Sequence, residues 1–344
     1  MNFTSDNTSG IAPEILQALA DANVGGAAPY GNDSVTAEVN ARLQDVFETG
    51  LDVFPVATGT AANSLALAAM SPPWGAIYCH REAHINTDEC GAPEFYSAGA
   101  KLIPLAGGHG KLTPDTLEAA LAEASPGFVH QVQPAVLSLT NATEAGTVYA
   151  PAEIAALSDI ARAHGLAVHL DGARFANALV TMGCTPAEAS WKSGVDVLAL
   201  GATKNGALAA EALVVFNSGL AETLAFRRKR AGHLWSKMRF LSAQLNAYLA
   251  DDLWLRNAGH ANAMAARLAE GLAALPGCRL QHPVEANEIF IAIPNAMADA
   301  LEAEGFQFYR WQPGEPTVLR LVTSFDTAAA TVTAFLATAT RHVA

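Results

Sequence analysis

The sequence predicts an α/β fold built on a mainly parallel sheet, and three observations carry that prediction. Short apolar runs rich in Val and Leu alternate with Ala-rich helical patterns from the first third of the chain onward, the pattern left by strand–helix–strand units. The stretch between two of these runs opens on Pro151 and stops at Gly165, as a crossover helix does when Pro fills its first turn and Gly follows its end. Two of the runs lead into clusters of small and charged residues, the place where open α/β sheets bind their ligands.

In chain order, the expected strands are 128–132 (FVHQV), 135–139 (AVLSL), 166–170 (LAVHL) and 195–200 (VDVLAL), with a helix from 151 to about 164 before the third. A helical region over about 221–275 follows, basic at first and then Ala-rich. Two further strands, 289–293 (IFIAI) and 318–322 (VLRLV), give the tail the character of a smaller α/β domain. The expected division is a large domain over 1–245 that includes the N-terminal segment, and a small C-terminal domain over 246–344.

With 344 residues, 51% of them hydrophobic and 15% charged, the chain can fill a sizeable core. A net charge of -13 argues against nucleic acid, whose phosphates call for clustered Lys and Arg. The basic run Arg227-Arg228-Lys229-Arg230 reads as a solvated helix face or a local phosphate site. The opening MNFTSDNTSG has no basic segment followed by an apolar one, and no apolar stretch is long enough to cross a bilayer. A cytoplasmic protein with neither membrane nor nucleic-acid partner is expected. Cys79, Cys90, Cys184 and Cys278 form no C-x-x-C pair and read as reduced thiols.

Three motifs carry chemistry. The run 195–200 ends in G-A-T-K-N-G, which puts Lys204 among small residues at a strand's carboxyl end. Alone, T-K-N-G also suits a solvated loop or a phosphate ligand, and it is not a P-loop. About thirty residues upstream, 168–170 runs into D-G-A-R, so Asp171 and Arg174 stand at the same sheet edge. Finally, A-T-G-T-A-A-N (57–63) opens a helical pattern, and the free N–H groups and dipole of a helix start suit a phosphate, with Gly59 and Thr60 at the turn. Together these meet the needs of pyridoxal 5'-phosphate (PLP): a lysine to carry it, an acid against its pyridine nitrogen, and a guanidinium whose fork matches an amino acid's carboxylate.

The succession Y-G-N-D, A-T-G-T-A-A-N, H-I-N-T-D-E-C-G-A-P, H-L-D-G-A-R-F-A-N-A and G-A-T-K-N-G resembles the L-threonine aldolase and β-eliminating lyase family of fold-type I PLP enzymes over nearly the whole chain. With K-M-R-F-L-S-A at 237–243, it looks closest to the bacterial low-specificity L-threonine aldolase and phenylserine aldolase branch. The resemblance implies an aminotransferase-like fold with a mostly parallel seven-stranded sheet and a small C-terminal domain. It also implies a homodimer or homotetramer with sites at the subunit interface.

Roles follow from the same resemblance. Lys204 would carry the cofactor, Asp171 would face its pyridine nitrogen, Gly59 and Thr60 would hold its phosphate, and His84 would stack on its ring, with Glu89 just beyond. Ser5, Arg174 and Arg320 would gather the substrate carboxylate, and Tyr30, Lys229 and Lys237 would complete the phosphate side. Where other branches carry a histidine in N-T-H-N-x-x-G-G, this chain has Asn141, which can hydrogen-bond a substrate hydroxyl but cannot titrate near neutral pH. His84, or a water that it orders, is then the candidate base. His80 and His84 stand four apart but not as H-E-x-x-H, and no metal is expected.

The reaction implied is cleavage of an L-β-hydroxy-α-amino acid (L-threonine, L-allo-threonine or phenylserine) to glycine and an aldehyde. The alternatives are another PLP-dependent β-eliminating lyase or an aminotransferase. A dinucleotide-binding protein is disfavoured because no G-x-G-x-x-G follows a strand.

Overall fold

Strands covered on both faces read as unbroken apolar runs, and the computed structural model, which describes residues 1–343, contains them. β1 (Asp52–Val56), β2 (Gly75–His80), β3 (Lys101–Leu105), β4 (Gln133–Thr140), β5 (Ala167–Gly172), β6 (Val197–Gly201) and β7 (Glu211–Val215) form one sheet in the order β1-β7-β6-β5-β4-β2-β3. Strand β7 runs antiparallel to both β1 and β6, and every other pairing is parallel. The fold is the expected mostly parallel seven-stranded sheet.

Helices α1 (Pro13–Ala22), α2 (Ser34–Phe47), α3 (Gly59–Met70), α4 (His84–Thr87), α5 (Ala92–Tyr96), α6 (Pro114–Ala122), α7 (Pro151–Ala163), α8 (Phe175–Met182), α9 (Ala221–Arg230) and α10 (Arg239–Leu249) surround this sheet. Successive strand residues point to opposite faces. Accordingly Leu198 and Leu200 of β6 join a core with Leu157, Phe175 and Leu245, while Val197 and Ala199 join a second layer with Ala62 and Leu65 of α3.

Helix α11 (Leu253–Ala273) leads to an antiparallel sheet of β8 (Arg279–Leu280), β9 (Glu288–Ile293), β10 (Tyr309–Gln312) and β11 (Thr317–Val322), ordered β10-β11-β9-β8. Helices α12 (Asn295–Ala303) and α13 (Ala329–Arg341) complete this smaller unit. Phe335 anchors its core, with ring centroids 5.2 Å from Phe3 and 4.9 Å from Phe306. Residue 245, the expected boundary, falls inside α10 and packs in the first core; the second core takes up α11 at Ala265 and includes Phe3 from the other end of the chain. Among the described residues no helix is long and apolar enough to cross a membrane.

One local reading is corrected. Residues 128–132 are not a strand but a turn, and Val129 is 91% exposed. The neighbouring β2 begins its pairing only at Gln133, so the preceding segment has no partner, and the Gln133 side chain instead ties the turn through Gly127, Phe128 and Gln131. The helical region 221–275 is helical as expected and comprises three helices, with breaks before α10 and at Asp251 and Asp252, both in the left-handed region.

The ends of β5 and β6 approach each other closely because both terminate in glycine. A Cβ on Gly201 would lie 2.5 Å from the Ala173 carbonyl oxygen, and one on Gly172 would lie 2.8 Å from that of Ala199. Replacing Gly201 by Ala must push the two backbone segments apart just before Lys204. The Gly201→Ala variant is expected to melt several degrees below the parent and to take up PLP more weakly, measured by thermal denaturation and by cofactor absorbance titration.

Candidate active site

Three strand-to-loop junctions and one helix start meet around a cavity of about 280 Å³, lined among others by Thr58, Gly59, Thr60, His84, Asp171 and Lys204. Thr58 caps α3, its Oγ1 accepting the Ala61 N–H at 3.2 Å. That leaves the Gly59 and Thr60 amides at the positive end of the helix without a protein acceptor, and no atom stands where a Gly59 Cβ would be. Lys204 sits in the single turn Thr203–Asn205 after β6 and makes no hydrogen bond or ion pair with any described residue. A bare amine and an open helix start in one cavity are the features a phosphorylated aldehyde requires.

Asp171, next to last in β5, accepts two hydrogen bonds: the Ala173 N–H to Oδ1 at 2.9 Å and Asn63 Nδ2 to Oδ2 at 2.8 Å. Asn63 Nδ2 also donates to Glu89 Oε1 at 2.9 Å, and the same oxygen meets His84 Nδ1 at 2.9 Å. The hydrogen bond that His84 Nδ1 donates to Glu89 pushes the imidazole's pKa up, while burial pushes the Glu89 carboxyl up. Glu144 and Glu211 also line the cavity. Burial raises each carboxyl to about 7, and Glu211 accepts the Ala202 N–H at 3.2 Å beside Lys204.

Arg174 is the one arginine in the cavity wall, but its fork is already engaged. Nε and Nη2 donate to Asp6 at 2.7 and 3.0 Å, and Nη1 lies 3.0 Å from Glu288. Burial alone would raise the Asp6 carboxyl; Arg174 more than offsets that and holds it below its usual range.

The structure therefore brings Lys204, Asp171, His84, Gly59, Thr60 and Arg174 together, and leaves other expected residues apart. Arg320 lies on β11 outside the cavity, donating to Glu288 at 2.5 Å and to the Thr4 carbonyl at 3.2 Å. Ser5 Oγ accepts the Asn7 N–H at 3.1 Å, and Asn7 rather than Ser5 reaches the wall. Tyr30 and Lys229 pair with each other, the ammonium 4.6 Å from the ring centroid, and Lys237 is exposed, all three outside the cavity. Asn141 is a correction: it is fully buried with Oδ1 accepting the Tyr149 N–H and Nδ2 donating to the Tyr149 carbonyl, both at 3.1 Å. Its amide closes the loop after β4, and it is not among the residues that line the cavity. Asn63, Glu144, Glu211, Asp6 and Glu288 were not singled out from sequence. The available signal was a polar residue inside an apolar run, as in A-A-N-S-L, A-E-A-L-V-V and N-E-I-F-I.

A shallower apolar depression lined by Pro13, Leu16 and Phe240 holds no titratable side chain.

Sheet, lysine, acid and helix start define a fold-type I PLP enzyme. Serine palmitoyltransferase from Sphingomonas wittichii shares the fold, with a TM-score of 0.74 at 14% identity, over 99% of this chain and 86% of that one. The chain belongs to the beta-eliminating lyase family, PLP-dependent lyases whose family model matches residues 2–296. It is 48% identical to the low specificity L-threonine aldolase of Pseudomonas aeruginosa over 307 residues, covering 89% of this chain and 88% of that protein. Threonine aldolase from Leishmania major superposes with a TM-score of 0.94 at 33% identity, over 100% and 99% of the two chains.

Two outcomes follow from this geometry. Because Glu89 raises His84, the Glu89→Gln variant is expected to lower the pH at which the His84 ring titrates, read from imidazole ¹⁵N shifts. Asn141→Ala leaves the Tyr149 backbone groups unpaired and is expected to cost about 1–3 kcal/mol of stability by denaturant titration.

Proposed function

We propose that the protein cleaves L-β-hydroxy-α-amino acids, with L-threonine, L-allo-threonine and phenylserine as the substrate class, to glycine and an aldehyde. The observation that carries this reading is the unpaired Lys204 in one cavity with Asp171, the α3 N-terminus and Arg174. The relatives' names, low specificity L-threonine aldolase and threonine aldolase, point the same way.

PLP, when bound, supplies the electron sink that lets a bond to Cα break. The residues supply the rest. Lys204 is the covalent anchor. Asp171, oriented by Asn63 and the Ala173 N–H, would face the pyridine nitrogen and favour its protonated form. Gly59 and Thr60 would hold the phosphate, and His84, its Nδ1 fixed by Glu89, would cover the ring. Arg174, aligned by Asp6 and Glu288, orients the substrate carboxylate, and that orientation decides which bond at Cα lies perpendicular to the ring.

The same reading includes a cytoplasmic homodimer or homotetramer. The four thiols are unpaired. Phe226 at 72% exposure and Trp235 at 41% flank Lys229, whose neighbour Tyr30 is itself bonded to the Ser236 carbonyl; an interface there would cover these side chains. Lys229, Lys237 and Tyr30 then reach the phosphate side of a neighbouring site, and Arg320 and Ser5 support the carboxylate side through Glu288 and Asn7.

PLP-saturated protein mixed with L-threonine, or with L-phenylserine, is expected to release glycine and aldehyde in equal amounts, and Lys204→Ala to release neither. Ammonia with an oxo acid would point instead to β-elimination, and a pyridoxamine form of the cofactor to transamination, the two alternatives that share this lysine, acid and arginine.

A further inference from the structure

We propose that Glu144, rather than a histidine, takes the proton from the substrate's β-hydroxyl, with Oε2 as the accepting atom; this rests on the aldolase reading above. Glu144 stands in the loop after β4 and lines the cavity with Lys204 and His84. Its Oε1 accepts the backbone N–H of His84 at 2.7 Å, which fixes the carboxyl against the cavity wall. Its Oε2 is buried and meets no donor in hydrogen-bonding geometry; the Thr140 side chain stands beside the carboxyl and pulls its pKa down against burial. A buried carboxylate oxygen left bare costs about 1–3 kcal/mol unless a donor arrives, and a substrate hydroxyl is such a donor.

The other candidates are committed elsewhere. Asp171 is bonded by Asn63 and Ala173, and Lys204 carries the cofactor. Glu89 also has one bare oxygen, but its other oxygen takes both Asn63 and His84, which compensate its charge. His84 is made more proton-retaining by that pairing, which suits a ring that covers the cofactor better than a base. Asn141, at the position of a histidine in other branches, is locked to Tyr149, and Glu144 lies three residues further along the same loop.

Burial, and then the Asp171 charge, raise the Glu144 carboxyl to about 7, where a base can both accept and release a proton near neutral pH. The charged and titratable groups facing it are Asp171 at the end of β5, His84 on α4, Cys79 on β2, Tyr149 across its loop, Arg174 and Lys204. In the step itself the O–H bond breaks and its proton goes to Glu144 Oε2. The O–H electron pair becomes the second bond of the aldehyde carbonyl, and the Cα–Cβ pair stays with Cα. Cα then gains a proton from the Lys204 ammonium, and water restores both side chains, so no co-reactant is needed.

The test is Glu144→Gln, which keeps an oxygen for the His84 N–H, assayed in three ways. L-threonine cleavage is expected to fall about 10²–10⁴-fold, and the acid limb of kcat/KM, centred near 7 in the parent, to vanish. Exchange of the glycine α-proton with D₂O, which requires PLP and Lys204 but no β-hydroxyl, is expected to persist. The third readout needs no turnover. A carboxyl raised by folding costs stability as pH climbs from its unfolded value of 4.5 to about 7, so the parent should lose melting temperature over that range relative to the variant. Cleavage within a few-fold of the parent with the acid limb intact would overturn the assignment, as would loss of glycine exchange together with cleavage. A parent protein that neither cleaves β-hydroxy amino acids nor exchanges glycine would overturn the aldolase reading and this proposal together.

Discussion

The arrangement of the cavity depends on one amide. Asn63 Nδ2 donates to Asp171 and to Glu89, two carboxyls that would otherwise repel each other across a space with little water. Within such a site a donor shared by two acids is worth more than at a surface, because the alternative is a buried charge without a partner. From that amide the polar chain runs in both directions. On one side it reaches Asp171 and the end of β5; on the other it passes through Glu89 to His84, whose backbone N–H continues it to Glu144. Glu89 and Glu144, both raised by burial, thus stand in one hydrogen-bonded chain with Asp171 and His84.

A second network ties the two cores together at the cavity's edge. Asp6 from the N-terminal segment, Arg174 after β5, Glu288 at the start of β9 and Arg320 on β11 alternate in charge, and Asn287 Nδ2 adds a 3.0 Å bond to Asp6. The N-terminal segment is also pinned to the small domain by Phe3, wholly buried against Phe335. Arg174 thus takes its position from three separate stretches of chain. Buried ion pairs of this kind add little net stability, but they fix geometry, since removing one partner strands the other.

Much of the fold was legible because it follows from local pattern. Pro151 and Gly165 bound α7 as read; the apolar runs at 135–139, 289–293 and 318–322 fall in strands, and those at 166–170 and 195–200 overlap β5 and β6, which begin at Ala167 and Val197. The run at 128–132 has the same composition and is a turn, since a strand exists only where a neighbour offers its hydrogen bonds. Of the site, the residues at strand ends and at the helix start were visible because small residues surround them. Asn63, Glu144 and Glu211 were not, because one polar residue in an apolar stretch does not disclose its partner.

By itself the sequence determined the α/β class, the lysine, acid and helix start of the cofactor site, and the presence of an amide, not a titratable group, at Asn141. These depend on residue type and on spacing within a single strand–loop unit. Only the tertiary structure decided that Asn141 braces a loop, that Arg320 meets Glu288 rather than the cavity, and that Glu144 holds a bare buried oxygen beside His84. The reason is physical: a side chain's role is set by which donors, acceptors and charges surround it, and those come from chain segments far apart in sequence that only the folded sheet brings together.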